Sequence, residues 1–166
     1  MRYTLPMALT LTSTAFADNE KIPAKYTCDG ERFLAPPLAI SGIPAGTKSL
    51  ALIMDDPDIP TVVKEARGIE ELNHWVLYNI PATATEIPEG GAVEGDTGIN
   101  GIGTAMYIGP CPPPEHEPSE HRYVFTLYAL SGTVNFATPP AKAELVTAIT
   151  PLLIEKTTLI GRYSRK

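Results

Sequence analysis

The sequence predicts a mostly β fold of antiparallel strands with short peripheral helices and a helical piece near its C-terminus. Two observations carry that prediction. Seventeen prolines and thirteen glycines are spread along 166 residues, and they separate short apolar runs rich in β-branched and aromatic residues. With 43% hydrophobic and 19% charged residues, the chain is long enough to build a real core and is expected to form one domain, residues 1–166.

The elements follow in order. Residues 8–16, ALTLTSTAF, predict a first strand. The same N-terminus imitates a secretory leader, with Met1-Arg2, an apolar middle and the small-residue pattern Ala15-Phe16-Ala17. Pro6 interrupts that middle, and Thr10, Thr12, Ser13 and Thr14 dilute it, so the segment is read as a strand of a cytoplasmic protein. Residues 49–54, SLALIM, are almost continuously apolar, as expected of a strand covered on both faces. Residues 74–80, HWVLYNI, and 122–130, RYVFTLYAL, are bounded by Pro, Gly and Asn and predict two more core strands. After Thr138-Pro139-Pro140, residues 141–160 place Leu145, Val146 and Ile149 at helical spacing, with Thr138 as cap and Pro151 as a break or kink.

Charge narrows the function. A formal charge of −6 and a pI near 5.0 argue against nucleic acid as a partner, because a phosphate-backbone binder needs a basic stripe. No apolar run approaches the 18 residues of a membrane span. Cys28 and Cys111 could form one bridge in an oxidising compartment and are expected to stay reduced in a cytosol. Neither spacing makes a zinc site.

The chemistry concentrates at residues 54–60, MDDPDIP. Clustered carboxylates can bind a metal, share a proton or build a turn, and Asp before Pro reads first as a turn. If the strand ending at Met54 runs antiparallel to the one starting at His74, then Asp56, Asp58 and His74 share one edge of the sheet. The stiff loop GPCPPPEHEPSE delivers His121, Arg122 and Tyr123 to the start of the last core strand, where alternation puts His121 and Tyr123 on one face and Arg122 on the other. An enzyme alternative is a metal-dependent hydrolase using Asp56, Asp58, His74, His121 and Cys111. A glycosidase would need two carboxyl groups facing across a sugar, and no G-x-S-x-G motif is present. The glycines of GDTGINGIG, residues 95–103, read as turns.

DPDIP (56–60), HWVLYNIP (74–81), GPCPPP (109–114) and HRYVFTLYAL (121–130), with IPAKYTCDG (22–30) and PPL (36–38), resemble in this order the phosphatidylethanolamine-binding protein family. The likeness is greatest to its bacterial and archaeal branch, the Raf kinase inhibitor-like proteins, and covers roughly residues 8–163. The resemblance implies an antiparallel β-sandwich in which these segments converge on a small anion pocket for phosphate or phosphoryl head groups. It gives Asp56, His74, His121 and Tyr123 as polar pocket groups, Gly109 and Pro110 as backbone wall, and Pro57, Asp58 and Pro60 as the shaping loop. It also implies a binding protein rather than an enzyme, without a cofactor, which regulates a kinase or protease and forms a homodimer. On this reading a phosphate monoester donates a proton to Asp56 while accepting hydrogen bonds from two imidazoles and the Tyr123 hydroxyl. Arg122 is assigned to pairing with the Asp56-Asp58 loop or another carboxylate, and Asp55 is left unassigned. Three departures stand out: Glu115, Glu117 and Glu120 make the loop before His121 acidic, Ile40 replaces an aromatic, and Pro151-Leu152 replaces Gly-His.

Overall fold

The computed structural model describes residues 3–5 and 7–165. Met1, Arg2 and Pro6, on which the leader-like pattern partly depends, lie outside the described residues. The early strands are β1 (Thr10–Thr12), β2 (Glu20–Lys21), β3 (Leu38–Ser41) and β4 (Ser49–Asp56), followed by helix α1 (Thr61–Arg67). Next come β5 (Leu72–Pro81), β6 (Glu86–Ile87), β7 (Asp96–Thr97) and β8 (Glu120–Leu130). Helix α2 (Lys142–Ile149) and strand β9 (Leu153–Ser164) complete the chain.

Two sheets form. One has the order β1-β3-β6 and the other β2-β9-β8-β4-β5-β7. All pairings are antiparallel except β2 with β9. Strand β4 is buried along its whole length, and its alternation explains why its sequence is continuously apolar. Leu50, Leu52 and Met54 join Leu11, Leu38, Ile40 and Ile87 of the small sheet in one core. Ala51 and Ile53 face the other way and pack with Leu145 and Ile149 of α2. Covering both faces removes from water the apolar surface that drives the collapse.

Several expectations change. The first strand covers only Thr10–Thr12 rather than 8–16, because the Ser13 hydroxyl donates to the Pro37 carbonyl at 2.6 Å and accepts the Ala15 N–H at 3.0 Å, turning the chain out of the ladder. Leu9, Leu11 and Phe16 remain core residues. The 55–73 connection, expected as a loop, contains α1, which starts after Pro60 and stops at Gly68 in the left-handed conformation (φ 64°).

The largest correction concerns the C-terminus. The predicted helix ends at Ile149, capped at Ala141 rather than Thr138. Past Pro151 the chain becomes the longest strand of the fold. Leu159, Gly161 and Tyr163 are buried at alternate positions, which is a strand period, and β9 pairs with β8 from Glu120↔Ser164 to Leu130↔Leu153.

Candidate functional site

The sheet register builds the site. Asp55 pairs with Val124 across β4 and β8, and Asp56 pairs with Leu72 across β4 and β5. The end of β4 and the starts of β5 and β8 therefore lie side by side, and His74 and His121 arrive from the two flanking strands. His121 and Tyr123 point inward and Arg122 outward, as alternation requires.

Asp56 is the hinge of this cluster. It is 3% exposed and His121 is 1% exposed, with His121 Nδ1 at 2.6 Å from Asp56 Oδ2. The other oxygen, Oδ1, accepts the Asp58 N–H at 2.8 Å, so the MDDPDIP stretch is both a turn and a site. Burial, then the Asp56 charge and a hydrogen bond to Asp56, hold the Tyr123 phenol well above its ordinary value. The Tyr123 ring lies 5.3 Å from that of His74, edge-on, and 6.3 Å from that of His121, stacked.

His74 is anchored differently. Its Nδ1 lies 2.7 Å from the Ile108 carbonyl oxygen, and a carbonyl can only accept, so Nδ1 carries the proton. Burial pushes the imidazole below its ordinary value, opposed by the Ile108 hydrogen bond and the Asp56 charge. The neutral ring then presents a bare Nε2 lone pair. Both Nε2 atoms, of His74 and of His121, are buried without a hydrogen-bond partner in the protein.

These two rings line one cavity of about 330 Å³, together with Asp56, Tyr123, Pro60 and Gly109. Among the other predicted residues, Pro57, Asp58 and Pro110 do not line it. Asp58 instead grips Arg122, accepting Nε–H at 2.9 Å, Nη2–H at 2.8 Å and the backbone N–H at 2.8 Å. The Pro110 carbonyl accepts the Cys28 N–H at 3.0 Å. Asp56 thus has one contact on each oxygen, so about two of its four acceptor positions are taken. Asp55, unassigned from the sequence, faces the opposite side of the sheet, where Lys142 Nζ donates to it at 2.6 Å and Asn73 at 3.1 Å.

Sequence reasoning missed Arg32. Its side chain lines the cavity, and it supplies the only permanent cation among the lining residues. Only its place two residues after the CDG stretch pointed to it. An apolar collar of Ile59, Val63, Leu72, Ile102 and Ile108 surrounds the polar floor. Cys28 and Cys111, which the sequence leaves open between a bridge and two thiols, are bridged, and Cys111 forms part of the cavity wall. Among the described residues no group of three or more His, Cys, Asp or Glu is gathered as a metal site, and the hydrolase alternative finds no support in the arrangement.

The Asp58–Arg122 grip should be visible in acid. Its hydrogen bond to the Arg122 side chain holds the Asp58 carboxyl below its ordinary 3.8, against an opposing burial effect. A lowered carboxyl contributes stability above its unfolded value, and that contribution disappears as pH falls through the folded one. Asp58→Ala is expected to cost about 1 kcal/mol at neutral pH, discounted because Arg122 is half exposed, and less near pH 2. Urea titrations at the two pH values check this; an equal cost at both would overturn it.

A family model described as phosphatidylethanolamine-binding protein matches residues 12–164. The chain belongs to the phosphatidylethanolamine-binding protein family. A UPF0098 protein from Methanothermobacter thermautotrophicus is 39% identical over 163 residues, 95% of this chain and 99% of its own. Another from Chlamydia pneumoniae is 39% identical over 155 residues, 93% of this chain and 98% of its own. Among solved structures, the phosphatidylethanolamine-binding protein homologue CT736 from Chlamydia trachomatis superposes with a TM-score of 0.87 at 34% identity, covering 96% of this chain and 99% of that one. YbcL of E. coli, described as a new member of the mammalian family, gives 0.83 at 27% identity over 96% and 100%. As a family member the chain carries the mostly β fold expected from its motifs, and no helix among the described residues is long and apolar enough to cross a membrane.

Proposed function

We propose that this chain is a non-enzymatic binding protein whose cavity takes a small oxyanion, phosphate or a phosphoryl head group. One observation carries the reading: two imidazoles that line the same cavity each bury an Nε2 atom without a protein partner. Orphaned buried polar atoms are costly unless a ligand satisfies them. His121 is fixed by its Nδ1 contact to the Asp56 carboxylate at 2.6 Å, which leaves its Nε2 for a ligand. Arg32 adds the permanent charge, and the apolar collar fits an organic substituent.

Titration of the native chain with inorganic phosphate and with phosphoethanolamine tests this. Saturable one-to-one binding that moves the ring resonances of both His74 and His121 is expected. No saturation, or a stoichiometric divalent metal co-purifying with the protein, would overturn it.

Regulation of a kinase or protease, the role implied by the family resemblance, would use the exposed apolar side chains Phe33, Val62, Ile102 and Met106; inhibition relieved by phosphate is its expected signature. A homodimer is the expected assembly, read by light scattering. The cytoplasmic placement is a proposal that the Cys28–Cys111 bridge makes testable. Both cysteines alkylate at once in lysate from a reducing cytosol, and neither does from an oxidising compartment.

A further inference from the structure

Resting on the oxyanion reading of the cavity, we infer that Asn73 is a positioning residue for it: the Asn73 side-chain amide holds a β-bulge that turns His74 through the sheet and into the cavity. Strand pairing shows the irregularity. Met54 pairs with Trp75 and Asp55 with Asn73, so one step along β4 is matched by two along β5, and His74 has no partner on β4. One extra residue on one strand is a bulge, and it moves the side chains beyond it to the other face of the sheet. The two faces agree with this. Trp75 and Leu77 lie in the core that holds Met54, whereas Val76 packs with Ile53 toward α2. Unbroken alternation would put His74 on the α2 side with Val76, beside Asp55 and Lys142, and Asn73 on the cavity side. The observed order is the reverse: His74 lines the cavity with Asp56, and Asn73 bonds to Asp55 on the side of Lys142.

Asn73 spans this irregularity. Its amide nitrogen donates to the Met54 carbonyl on β4 at 3.2 Å, to the Trp75 carbonyl beyond His74 at 3.3 Å and to Asp55 Oδ1 at 3.1 Å. The two carbonyls flank the extra residue, one on each strand. Three acceptors around one NH2 group also fix the amide orientation, because the flipped form would point an oxygen at three oxygens. Asn73 is 7% exposed, and its Oδ1 has no partner in the protein. An unpaired buried oxygen is a cost that an apolar side chain of similar size would avoid. The two N–H donors are therefore what this position gains from Asn. The neighbouring loop completes the frame. The Gly101 N–H donates to the Asn73 carbonyl at 2.8 Å and the Ile108 N–H to the His74 carbonyl at 3.1 Å, while the Ile108 carbonyl holds the His74 ring at Nδ1 at 2.7 Å. That ring contact exists only while the bulge keeps His74 on the cavity side.

Three substitutions in the full chain separate positioning from stability. Asn73→Leu removes both donors at similar volume, Asn73→Ala removes them without bulk, and Ile149→Ala truncates a buried residue of the α2-side core outside the bulge. All three are expected to lower the melting temperature. In both Asn73 variants inorganic phosphate should bind at least roughly tenfold more weakly by calorimetry, because the ring is no longer held in place. The His74 Nδ1–H resonance, held by the Ile108 carbonyl, should shift or vanish from their proton–nitrogen spectra. In Ile149→Ala phosphate affinity should stay within roughly threefold of the native chain, with that resonance unmoved. The native chain gives a reading that needs no substitution: the Asn73 side-chain N–H protons should exchange with deuterium as slowly as the backbone amides of β4. Native phosphate affinity with an unmoved His74 resonance in either Asn73 variant, an equal loss of affinity in Ile149→Ala, or fast exchange of the Asn73 amide in the native chain would overturn the positioning role and leave the oxyanion reading standing. Failure of the native chain to bind phosphate would overturn the oxyanion reading, and the His74 resonance would still report on Asn73.

Discussion

His121→Ala is expected to weaken phosphate binding by roughly 10- to 150-fold, the loss of one charge-assisted hydrogen bond of about 1.5–3 kcal/mol. His121 Nδ1 lies 2.6 Å from Asp56 Oδ2, so the ring is held on the cavity wall with its Nε2 left without a protein partner. The same substitution strands a carboxylate that is 3% exposed, which by itself destabilises the fold. A companion variant separates the two effects. His121→Ala with Asp56→Asn restores the missing charge balance and should recover most of the melting temperature while leaving phosphate affinity low. Calorimetry and thermal melts on both variants check it, and phosphate affinity unchanged in the single variant would remove His121 from the site.

Replacing both Cys28 and Cys111 by serine is expected to cost about 3–4 kcal/mol. The bridge spans a sequence separation of 83 residues, and closing so long a loop in the unfolded chain removes much of its entropy. The effect on binding should be smaller. Beside the bridge, the Cys28 N–H donates to the Pro110 carbonyl at 3.0 Å, the Gly109 N–H to the Arg32 carbonyl at 2.7 Å, and the Tyr107 hydroxyl to the Tyr26 carbonyl at 2.8 Å. Two loops that carry Arg32 and Cys111 to the cavity thus stay apposed through hydrogen bonds when the sulfurs are gone. Guanidinium titrations should show the midpoint falling, and phosphate affinity should drop by no more than roughly tenfold. An unchanged midpoint would mean that the bridge adds nothing to the folded state.

The contrast between what the sequence revealed and what it concealed has physical causes. Strands β4, β5 and β8 were legible because each buries most of its length, so burial wrote itself into composition. Antiparallel pairing and side-chain alternation were then enough to bring Asp56, His74, His121 and Tyr123 together. Strand β9 was concealed because its first half carries polar residues, Glu155 to Thr158, none of them buried, and follows closely on a helix whose spacing it continues. What makes it a strand is β8, distant in sequence. Helix α1 buries none of its residues and so leaves no apolar period to read. Arg32 and the bridge depend on how two loops meet, a fact of packing that neither loop encodes alone.

The six-stranded sheet ends on both sides in strands of two residues, β2 and β7. Such short borders offer a passing chain almost no row of free backbone groups to template on. The consequence reaches beyond folding: at Gly161–Arg162 of β9 and Leu77–Tyr78 of β5, where those borders pair, the sheet offers no edge for strand exchange between copies. A second copy that met the sheet at those positions would be recognised by its side chains, surface against surface, and single surface substitutions there should disrupt the contact in a way that a shared sheet would not allow.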